Sequence, residues 1–453
     1  MTDSAATPPD PGPAHGSSPT CAGRARRRGR WLRYSAICAA FLVLVAGGVG
    51  WIAYDRLNGN ITEDTDTAAE LARYEKERPT VLAEGAQNLL LIGSDSRAGK
   101  NGRYGRNDGT QRSDTTILLH VAADRKSATA VSFPRDLMTD VPACREPDGS
   151  KHDAMFAMFN YAFEVGGSAC TIRTVEKMTG VRVDHHMVVD FDGFKDMVNA
   201  VGGVTVCLER PIDDDDAHVR LPAGTHHLNG EQALGYVRAR KSLGNGSDTD
   251  RMDRQQRFLG ALVKKVQSNG VLLNPTRLYP VLDAATSSLT TDPGLASLRG
   301  LYDLVRGMRN IPAERVRFLT VPRESYVYNA NRDQLVQPAA ERLFTQLRKD
   351  TPVKVSEQPP ADEEYGAQDE YGTDGESEQY SDGYDGSGGS DGPDGSDGYG
   401  GYGGYGGYGG SDEYGTYGGD EVSDGKPGSP VHGPGASPAP TFRGNTAGQA
   451  SCG

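Results

Sequence analysis

Short apolar runs alternate with longer amphipathic segments through the middle of the chain. The apolar runs have the composition of buried strands, and they cover residues 88–94, 115–121, 127–133, 185–190, 204–208 and 315–321. The amphipathic segments show the apolar spacing of helices, over residues 153–165, 169–179, 191–200, 230–240, 251–268, 294–309 and 337–349. This alternation predicts an α/β fold, in which a layered central sheet is covered on both faces. Residues 87–354 are therefore expected to form one domain that buries a substantial core.

An uncharged stretch of 21 residues, from Tyr34 to Tyr54, precedes this domain. As a helix it spans roughly 31 Å, close to the hydrocarbon thickness of a bilayer. Trp31 and Trp51 lie near its two ends, where aromatic rings favour the membrane interface. We therefore expect residues 34–54 to be a single transmembrane helix. The alternatives are a cleaved signal peptide, which shares the basic flank but usually has a shorter apolar core, and a buried helix of a soluble domain.

The segments on either side of this helix differ in charge. Residues 1–33 contain six arginines and are otherwise rich in Pro, Ala, Ser and Thr, which predicts a disordered basic segment. Basic flanks stay in the cytoplasm, so the domain is expected outside the cell, at the cell membrane. Residues 55–86 are polar and helix-prone, and they are expected to form an extracellular stalk.

The acidity of the chain belongs to its C-terminal part. Of the net charge of −13, residues 355–425 supply 19 acidic side chains and no Lys or Arg, among 22 Gly and ten Tyr. Residues 34–354 carry 40 basic and 40 acidic side chains. Low complexity predicts that residues 355–453 form a disordered tail. A neutral domain outside the membrane also argues against nucleic acid as a partner.

Three cysteines lie in the predicted domain, namely Cys144, Cys170 and Cys207. An oxidising exterior permits a disulfide bond. Cys144 with Cys170 is the first choice, and the other two pairings stay open. The chain has no CxxC motif or Cys/His spacing typical of a zinc site.

Three pairs of arginine and aspartate stand at the boundaries of consecutive predicted strands. They are Asp95 with Arg97, Arg112 with Asp114, and Arg135 with Asp136. Ligands of open α/β sheets bind at strand ends. Two carboxylates beside serine hydroxyls suit Mg²⁺, which commonly binds through one or two carboxylates plus substrate phosphates. Arginines bind phosphate oxygens in a bidentate manner. Each pair taken alone is also explained as a structural ion pair.

A second basic cluster follows further along the chain. Arg238 and Arg240 are two residues apart, and Arg251 shares a helix face with Gln255. Together with the strand-end arginines, they indicate a site for a polyanion or a pyrophosphate. The alternative is that Arg254 or Arg257, which are nearby, only faces water on the surface of its helix.

These residues, in this order, resemble the LytR-CpsA-Psr (LCP) family of membrane-anchored transferases of cell-wall glycopolymers. The resemblance runs from about Asn88 to Phe258, through NLLLIGSDSR, RSDTTILLHV, SFPRDL, FNYAFEVGG, VVDFDGFKDMVNAVGGVTVCL, LPAGTHHLNGEQALGYVRARK and DTDRMDRQQRFL. It implies an α/β/α layered domain. It also implies transfer of a glycopolymer, such as a teichoic acid, capsule or arabinogalactan, from a polyprenyl pyrophosphate carrier to peptidoglycan, with Mg²⁺ as cofactor.

The resemblance also assigns roles to residues. The implied metal ligands are Asp95 and Asp114, and the implied pyrophosphate-binding arginines are Arg112, Arg135, Arg238 and Arg240. Either Gln255 or Gln256 is a further polar contact. Arg97, Asp136 and Arg251 lie in matching blocks and are expected to contact substrate.

The chain departs from the family pattern in two places. Met158-Phe159-Asn160 stands where many members have Lys-Ile-Asn, so a phosphate-contacting lysine is replaced, and Lys151 is out of register with it. The loop between Asp95 and Asp114 is long, with basic residues Arg97, Lys100, Arg103 and Arg106 that could adapt the site to one head group.

The resemblance leaves questions that the residues alone do not answer. A pyrophosphatase acting on the same lipid carriers, or a non-catalytic wall-polymer binding or regulatory protein, would use the same basic site. The lipid needs an apolar groove, for which the candidates are Phe156, Phe159, Phe163, Phe194 and Met197, although each of them is by default explained as a core residue. Truncation after Val355 is expected to leave transfer intact.

Overall fold

The computed structural model describes residues 22–95, 113–146, 149–240, 248–268, 275–357 and 440–449. Within these ranges the helices are Ala22–Gly59 (α1), Thr65–Arg73 (α2), Tyr161–Thr179 (α3), Phe191–Ala200 (α4), Gly230–Arg238 (α5), Asp248–Ser268 (α6), Pro275–Ser288 (α7), Leu298–Met308 (α8) and Ala339–Arg348 (α9). The strands of the main sheet are Thr62–Glu63 (β1), Gln87–Ser94 (β2), Ser113–Val121 (β3), Ala128–Phe133 (β4), His185–Val189 (β9), Leu289–Thr291 (β14), Val316–Thr320 (β15), Lys354–Ser356 (β18) and Thr441–Thr446 (β19). Five two-stranded sheets are formed by Met138–Val141 (β5), Cys144–Arg145 (β6), Lys151–His152 (β7), Met155–Met158 (β8), Val204–Leu208 (β10), Ile212–Asp214 (β11), Val219–Leu221 (β12), Gly224–Leu228 (β13), Arg323–Tyr326 (β16) and Asn329–Leu335 (β17).

The main sheet is mixed and has the order β1-β14-β9-β2-β3-β4-β15-β19-β18. Strands β2, β3 and β4 form an antiparallel meander. Strand β9 adds to β2 in parallel, and β15 adds to β4 in parallel. These five strands correspond to predicted apolar runs, whereas the short outer strands were not predicted.

Both faces of this sheet are covered, which confirms the α/β/α layered fold. Successive side chains of a strand point to opposite faces. On one face Leu90 and Ile92 of β2 pack in a core with residues of α3 and α9. On the other face Leu89 and Leu91 pack in a second core with Leu304 of α8. The apolar run in β2 therefore reflects burial on both sides.

The prediction of a helix over residues 153–165 is wrong in its first half. Strand β8 occupies Met155–Met158, and α3 then begins at Tyr161 and continues through the second predicted helix to Thr179. Gly166 and Gly167 leave helical geometry and kink α3. The Cys144–Cys170 disulfide, the first choice from the sequence, is confirmed. A Cβ atom at Gly166 would lie 2.7 Å from the Cβ of Cys170, so this bridge requires glycine there.

The N-terminal predictions are corrected in two respects. Helix α1 begins at Ala22, so residues 22–33 are helical rather than disordered, and its segment 33–59 is apolar and long enough to cross a membrane. Residues 55–86 are not a stalk. Strand β1 pairs with β14 at the edge of the main sheet, and Asp64 caps α2 while accepting a hydrogen bond from His186 Nε2 over 3.0 Å. The segment belongs to the folded domain because its polar side chains have partners there.

The C-terminal prediction is wrong at both ends of the proposed tail. Strand β18 reaches Ser356, and β19 inserts between β15 and β18 in the main sheet. Phe442 of β19 is only 2% exposed and packs in the same core as Leu90. One buried aromatic residue within a Pro- and Ser-rich stretch was too weak a signal to predict this strand.

Candidate functional site

One long cleft lies between the second face of the sheet and the helices from α4 to α8. Its volume is about 2150 Å³. One part of its wall is charged and the rest is mostly apolar. The charged part brings together eight residues predicted from the sequence, namely Asp95, Asp114, Arg135, Asp136, Arg238, Arg240, Arg251 and Gln255.

A β-bulge brings the two candidate metal ligands to the same place. Gly93 of β2 lies opposite Thr115 of β3, whereas Ser94 lies opposite Ser113, so the register skips Asp114. Asp95 directly follows Ser94, and both carboxylates line the cleft. Bulges commonly redirect a side chain next to an active site. Here the bulge explains how an aspartate that opens one strand comes close to an aspartate that follows the end of another.

Arg135 lies between two carboxylates at the end of β4. Its Nη1 donates to Asp114 Oδ1 over 2.9 Å, and its Nε donates to Asp136 Oδ2 over 3.4 Å. Asp136 also pairs with Arg332 of β17 over 3.5 Å. These side chains keep between 20% and 33% of their surface exposed, so they face the cleft while being oriented by one another.

Arg238 lies at the end of helix α5, and Arg240 follows it. A capping box between Asn229 and Gln232 starts this helix, which ends at Arg238. The guanidinium of Arg238 lies over the ring of Phe191, 4.6 Å from its centroid, which is a cation–π contact. The backbone N–H of Arg240 donates to Asp214 Oδ2 over 2.6 Å. A buried aspartate therefore fixes the backbone of Arg240 as the chain leaves the helix.

The glutamines and arginines of helix α6, whose roles the sequence could not distinguish, lie in different surroundings. Gln255 lines the cleft, and its amide donates to the carbonyl of Val237 over 3.2 Å. Gln256 is buried and instead donates to Ser132 and Thr320, so the structure favours Gln255 as the polar contact. Arg251 is buried and lines the cleft. Two further arginines of this helix point elsewhere: Arg254 is buried and donates to the Ala239 carbonyl, while Arg257 is half exposed beside Glu209.

Two predicted residues and one predicted loop cannot be placed. Arg97 and Arg112, together with the basic loop between them, lie outside the described residues. Of the departures from the family pattern, Met158 and Asn160 line the cleft. Lys151 is exposed on β7 and is not one of the residues that line it.

The apolar part of the cleft runs between the sheet and the helices. Its floor is formed by side chains of β2, β3 and β9, namely Leu89, Leu91, Ile117, Leu119, Met187 and Val189. Helices α6 and α7 supply the opposite wall, including Leu259, Leu262, Val266 and Leu282. Phe194 and Met197 line the cleft, as predicted. Phe156, Phe159 and Phe163 do not: Phe159 and Phe163 belong to the core on the other face, and Phe156 is exposed.

Asp95 and Asp114 are suitable ligands for Mg²⁺ only in combination with a substrate. In the part of the chain that is described, no group of three or more His, Cys, Asp or Glu side chains is arranged to hold a metal ion. Mg²⁺ usually keeps several waters and binds through one or two carboxylates plus substrate phosphates. Two hard carboxylates at the charged part of the cleft fit that mode of binding.

Some residues of the site were missed from the sequence. Asp214 lies in a run of four aspartates that reads as solvated surface, yet its side chain is buried. Arg332 comes from a strand beyond the matching blocks, and it reaches Asp136 because the next residue, Asp333, bridges to Leu137 and donates its backbone N–H to the Asp136 carbonyl. Phe191 begins α4, where its apolar side chain gave no hint of a contact with Arg238.

The chain is similar to several proteins of known family. The model of the LytR_cpsA_psr family matches residues 57–349. Cell wall biosynthesis protein LcpA of Corynebacterium glutamicum is 32% identical, over 62% of this chain and 58% of that protein. Probable cell wall biosynthesis protein LcpB of the same organism is 37% identical, over 50% and 53%. The match thus spans little more than half the length of these two relatives. Polyisoprenyl-teichoic acid–peptidoglycan teichoic acid transferase TagT of Bacillus subtilis is 29% identical, over 68% of this chain and 92% of that protein.

Proposed function

Because the chain belongs to the LytR_cpsA_psr family, whose model covers residues 57–349, we propose that it is a cell-wall glycopolymer transferase. Its donor would be a glycopolymer on a polyprenyl pyrophosphate, and its acceptor would be peptidoglycan. The proposal fits the name of TagT, a polyisoprenyl-teichoic acid–peptidoglycan teichoic acid transferase.

The observation that carries this proposal is the continuity of the charged and apolar parts of one cleft. Arg135, Arg238 and Arg240 line the same cavity as Leu262 and Leu282. Guanidinium groups bind phosphate oxygens strongly, and an apolar wall favours a hydrocarbon chain by about 25 cal/mol per Å² of apolar surface removed from water. A ligand that satisfies both has an anionic head and a long apolar tail. A polyprenyl pyrophosphate has this construction.

The proposed reaction is a phosphoryl transfer. A hydroxyl of peptidoglycan attacks the phosphorus that bears the glycan, the bond to the bridging oxygen breaks, and polyprenyl phosphate leaves with the electron pair. A phosphodiester then joins the glycan to the wall, and the hydroxyl proton is released. Catalysis of this kind rests mainly on positioning and on electrostatic stabilisation.

Several side chains of the charged part have a role in this scheme. Asp114 and Asp136 orient the guanidinium of Arg135 toward the cleft. The guanidinium of Arg238 lies over the ring of Phe191 at the cleft wall, where it would bind phosphate oxygens. Asp95 and Asp114 would hold Mg²⁺, which when bound neutralises charge on the pyrophosphate. The aspartates could also accept the proton of the attacking hydroxyl, but we assign them first to the metal.

The proposed location is the outer side of the cell membrane. Helix α1 is long and apolar enough in segment 33–59 to act as a single-pass anchor. Its six flanking arginines favour a cytoplasmic N-terminus. The domain would then face both the lipid-linked donor and the peptidoglycan.

The experiment uses the full chain in nanodiscs, a labelled polyprenyl pyrophosphate glycan, peptidoglycan and Mg²⁺. We expect label on the peptidoglycan, lost on chelation of Mg²⁺. Release of free glycan phosphate without attachment to the wall would identify a hydrolase instead. Binding that survives chelation, with no turnover for several donor types, would identify a binding protein. Asp140→Asn, at an exposed position on β5, is the matched control for variants of the site aspartates.

A further inference from the structure

Helix α8 presents a basic and aromatic stripe to solvent. Arg299, Tyr302, Arg306 and Arg309 follow one another at spacings of three and four residues, and so share one side of the helix. The side chain of Arg299 is 88% exposed and Tyr302 is 57% exposed. Asp303 is the single carboxylate within Leu298–Met308, and it lies 4.0 Å from Arg299. The stripe is therefore positively charged, with a ring in its middle.

The last turn of the membrane-crossing helix is attached to α7 and α8. Asn58 Oδ1 accepts a hydrogen bond from the backbone N–H of Leu298, the first residue of α8, over 3.1 Å. Asn60 donates to Asp283 of α7, also over 3.1 Å. Leu57, the residue before Asn58, is buried, at 5% exposure. The domain consequently begins where α1 ends, without a flexible spacer.

These contacts determine how far the first residue of α8 lies from the end of the uncharged stretch. Asn58 lies four residues beyond Tyr54, the last residue of the uncharged stretch, which is a rise of about 6 Å along a helix. A bilayer has a hydrocarbon core of about 30 Å and a total thickness of about 40–45 Å, which leaves about 5–8 Å for each headgroup layer. The first residue of α8 thus lies at the level of the headgroups.

We propose that α8 docks on the headgroup layer of an anionic bilayer. Arg299, Arg306 and Arg309 bind lipid phosphates, and Tyr302 occupies the interface, where its ring has an apolar body and a polar tip. The docked helix fixes the tilt of the domain relative to the membrane. This inference depends on α1 crossing the membrane and is independent of the transfer reaction.

The large cleft lies beside α8, and what this position implies for the entry of a donor rests on the proposed function. Tyr302, Val305, Arg306 and Arg309 also line the large cleft, as does Tyr54 of α1. The apolar part of the cleft therefore opens beside the docked helix. A lipid-linked donor could enter from the bilayer with its tail first and with little exposure to water.

The test measures the depth of α8 in a membrane. A fluorescent amino acid replaces Tyr302 in the full chain, which is reconstituted in nanodiscs with spin-labelled lipids that quench near the headgroups. We expect strong quenching in phosphatidylglycerol nanodiscs and weaker quenching in phosphatidylcholine, because each arginine near an anionic surface strengthens binding about fivefold. Absence of quenching in both lipids would overturn the proposal and leave this face to a protein partner.

A matched pair of variants tests the role of the arginines. Changing Arg299, Arg306 and Arg309 together to Gln should reduce quenching in the anionic nanodiscs to the level seen in phosphatidylcholine. The control changes three exposed arginines elsewhere, Arg220, Arg257 and Arg342, to Gln and alters the net charge equally. Equal effects of the two triple variants would overturn the proposal. Circular dichroism melts check that both variants fold, and the readout requires no substrate, so it is separate from any failure of transfer.

Discussion

Arg135 donates a hydrogen bond to Asp114 over 2.9 Å across the start of β3 and the end of β4. The two residues are 21 positions apart in sequence, and the antiparallel pairing of β3 with β4 brings them together. Asp136 accepts a second bond from the same guanidinium. One arginine is thus aimed by two carboxylates, one of which is also a candidate metal ligand. The candidate metal ligands and the candidate phosphate-binding groups are therefore parts of one network.

Replacing Arg135 tests this network most directly. Arg135→Ala should lower the rate of transfer by about 10²–10³-fold, the usual cost of removing one donor that stabilises developing charge. Arg135→Lys should recover only part of this loss, because lysine keeps the charge but lacks the planar fork. Stability should change by less than about 1 kcal/mol, since the ion pair is partly exposed. Initial rates and thermal melts provide the measurements, and Arg220→Ala at an exposed site is the control. Full transfer by Arg135→Ala would contradict the role assigned to it.

The two aspartates next to the bulge should control the dependence on Mg²⁺. Asp95→Asn and Asp114→Asn each keep the shape of the side chain but remove a charge that a hard cation prefers. We expect activity to fall about 100-fold or more, and the Mg²⁺ concentration for half-maximal rate to rise. Rates measured across a Mg²⁺ titration test this expectation, with Asp140→Asn as the control. An unchanged half-saturation in both variants would exclude these residues as ligands.

Much of the site could be predicted because its residues lie at strand ends with recognisable chemistry. Asp95, Asp114, Arg135 and Arg238 each follow or precede a strong apolar or helical pattern. The missed residues depend on tertiary structure. Asp214 acts through a backbone N–H that is 26 positions away. Arg332 reaches Asp136 through the bridge between Asp333 and Leu137, which are far apart in sequence.

The fold was predictable to a similar degree, and for similar reasons. The central strands bury both faces and so have continuous apolar runs. Outer strands such as β1 and β14 are too short to show a period. Helix α7 contains Pro280 and lies between predicted segments, so its pattern was not recognised.

The apolar wall of the cleft should determine how long a lipid the protein can use. Leu262→Gln places an amide against the lipid chain, where an unsatisfied polar group costs about 1–3 kcal/mol. For a long-chain donor KM should therefore rise about tenfold to a hundredfold. A short-chain donor that does not reach this wall should keep its KM. Kinetics with two chain lengths distinguish these cases, and Ser287→Gln, at an exposed position on α7, is the control. Equal effects on both donors would place the lipid elsewhere.

Acid should weaken the attachment of the N-terminal segment through Asp64. Burial acts to raise the pKa of Asp64, but hydrogen bonds from His186 and from the Thr67 backbone outweigh it and lower the pKa from 3.8 to about 2. A carboxyl whose pKa is lowered by folding stabilises the protein above the unfolded value, and this stabilisation is lost as pH falls from about 4 through 2. Because the carboxylate is partly exposed and screened by solvent, this stabilisation is expected to be about 1 kcal/mol. Urea midpoints of the detergent-solubilised protein at pH 5 and pH 3 should differ more for the wild type than for Asp64→Asn. The same difference in both proteins would show that Asp64 is not responsible.

The C-terminal strand should be required for stability, although the long segment before it should not. Strand β19 lies between β15 and β18, and Phe442 is buried in the main core. Phe442→Ala should cost about 3–5 kcal/mol, as for other large aromatic residues in a core. A chain that ends at residue 357 loses the whole strand and should be destabilised at least as much, contrary to the expectation from composition.

An internal deletion separates the strand from the acidic Gly- and Tyr-rich segment. Strands β18 and β19 are parallel, and parallel strands need a connection of about a dozen residues or more. Replacing residues 366–433 with a Gly/Ser linker of about 20 residues should therefore leave thermal stability and transfer unchanged. The truncated and internally deleted chains thus have opposite expected outcomes in the same melting and transfer assays. If the chain that ends at residue 357 is stable and active, β19 is dispensable. If the internal deletion is inactive although its stability is unchanged, the acidic segment has a role of its own.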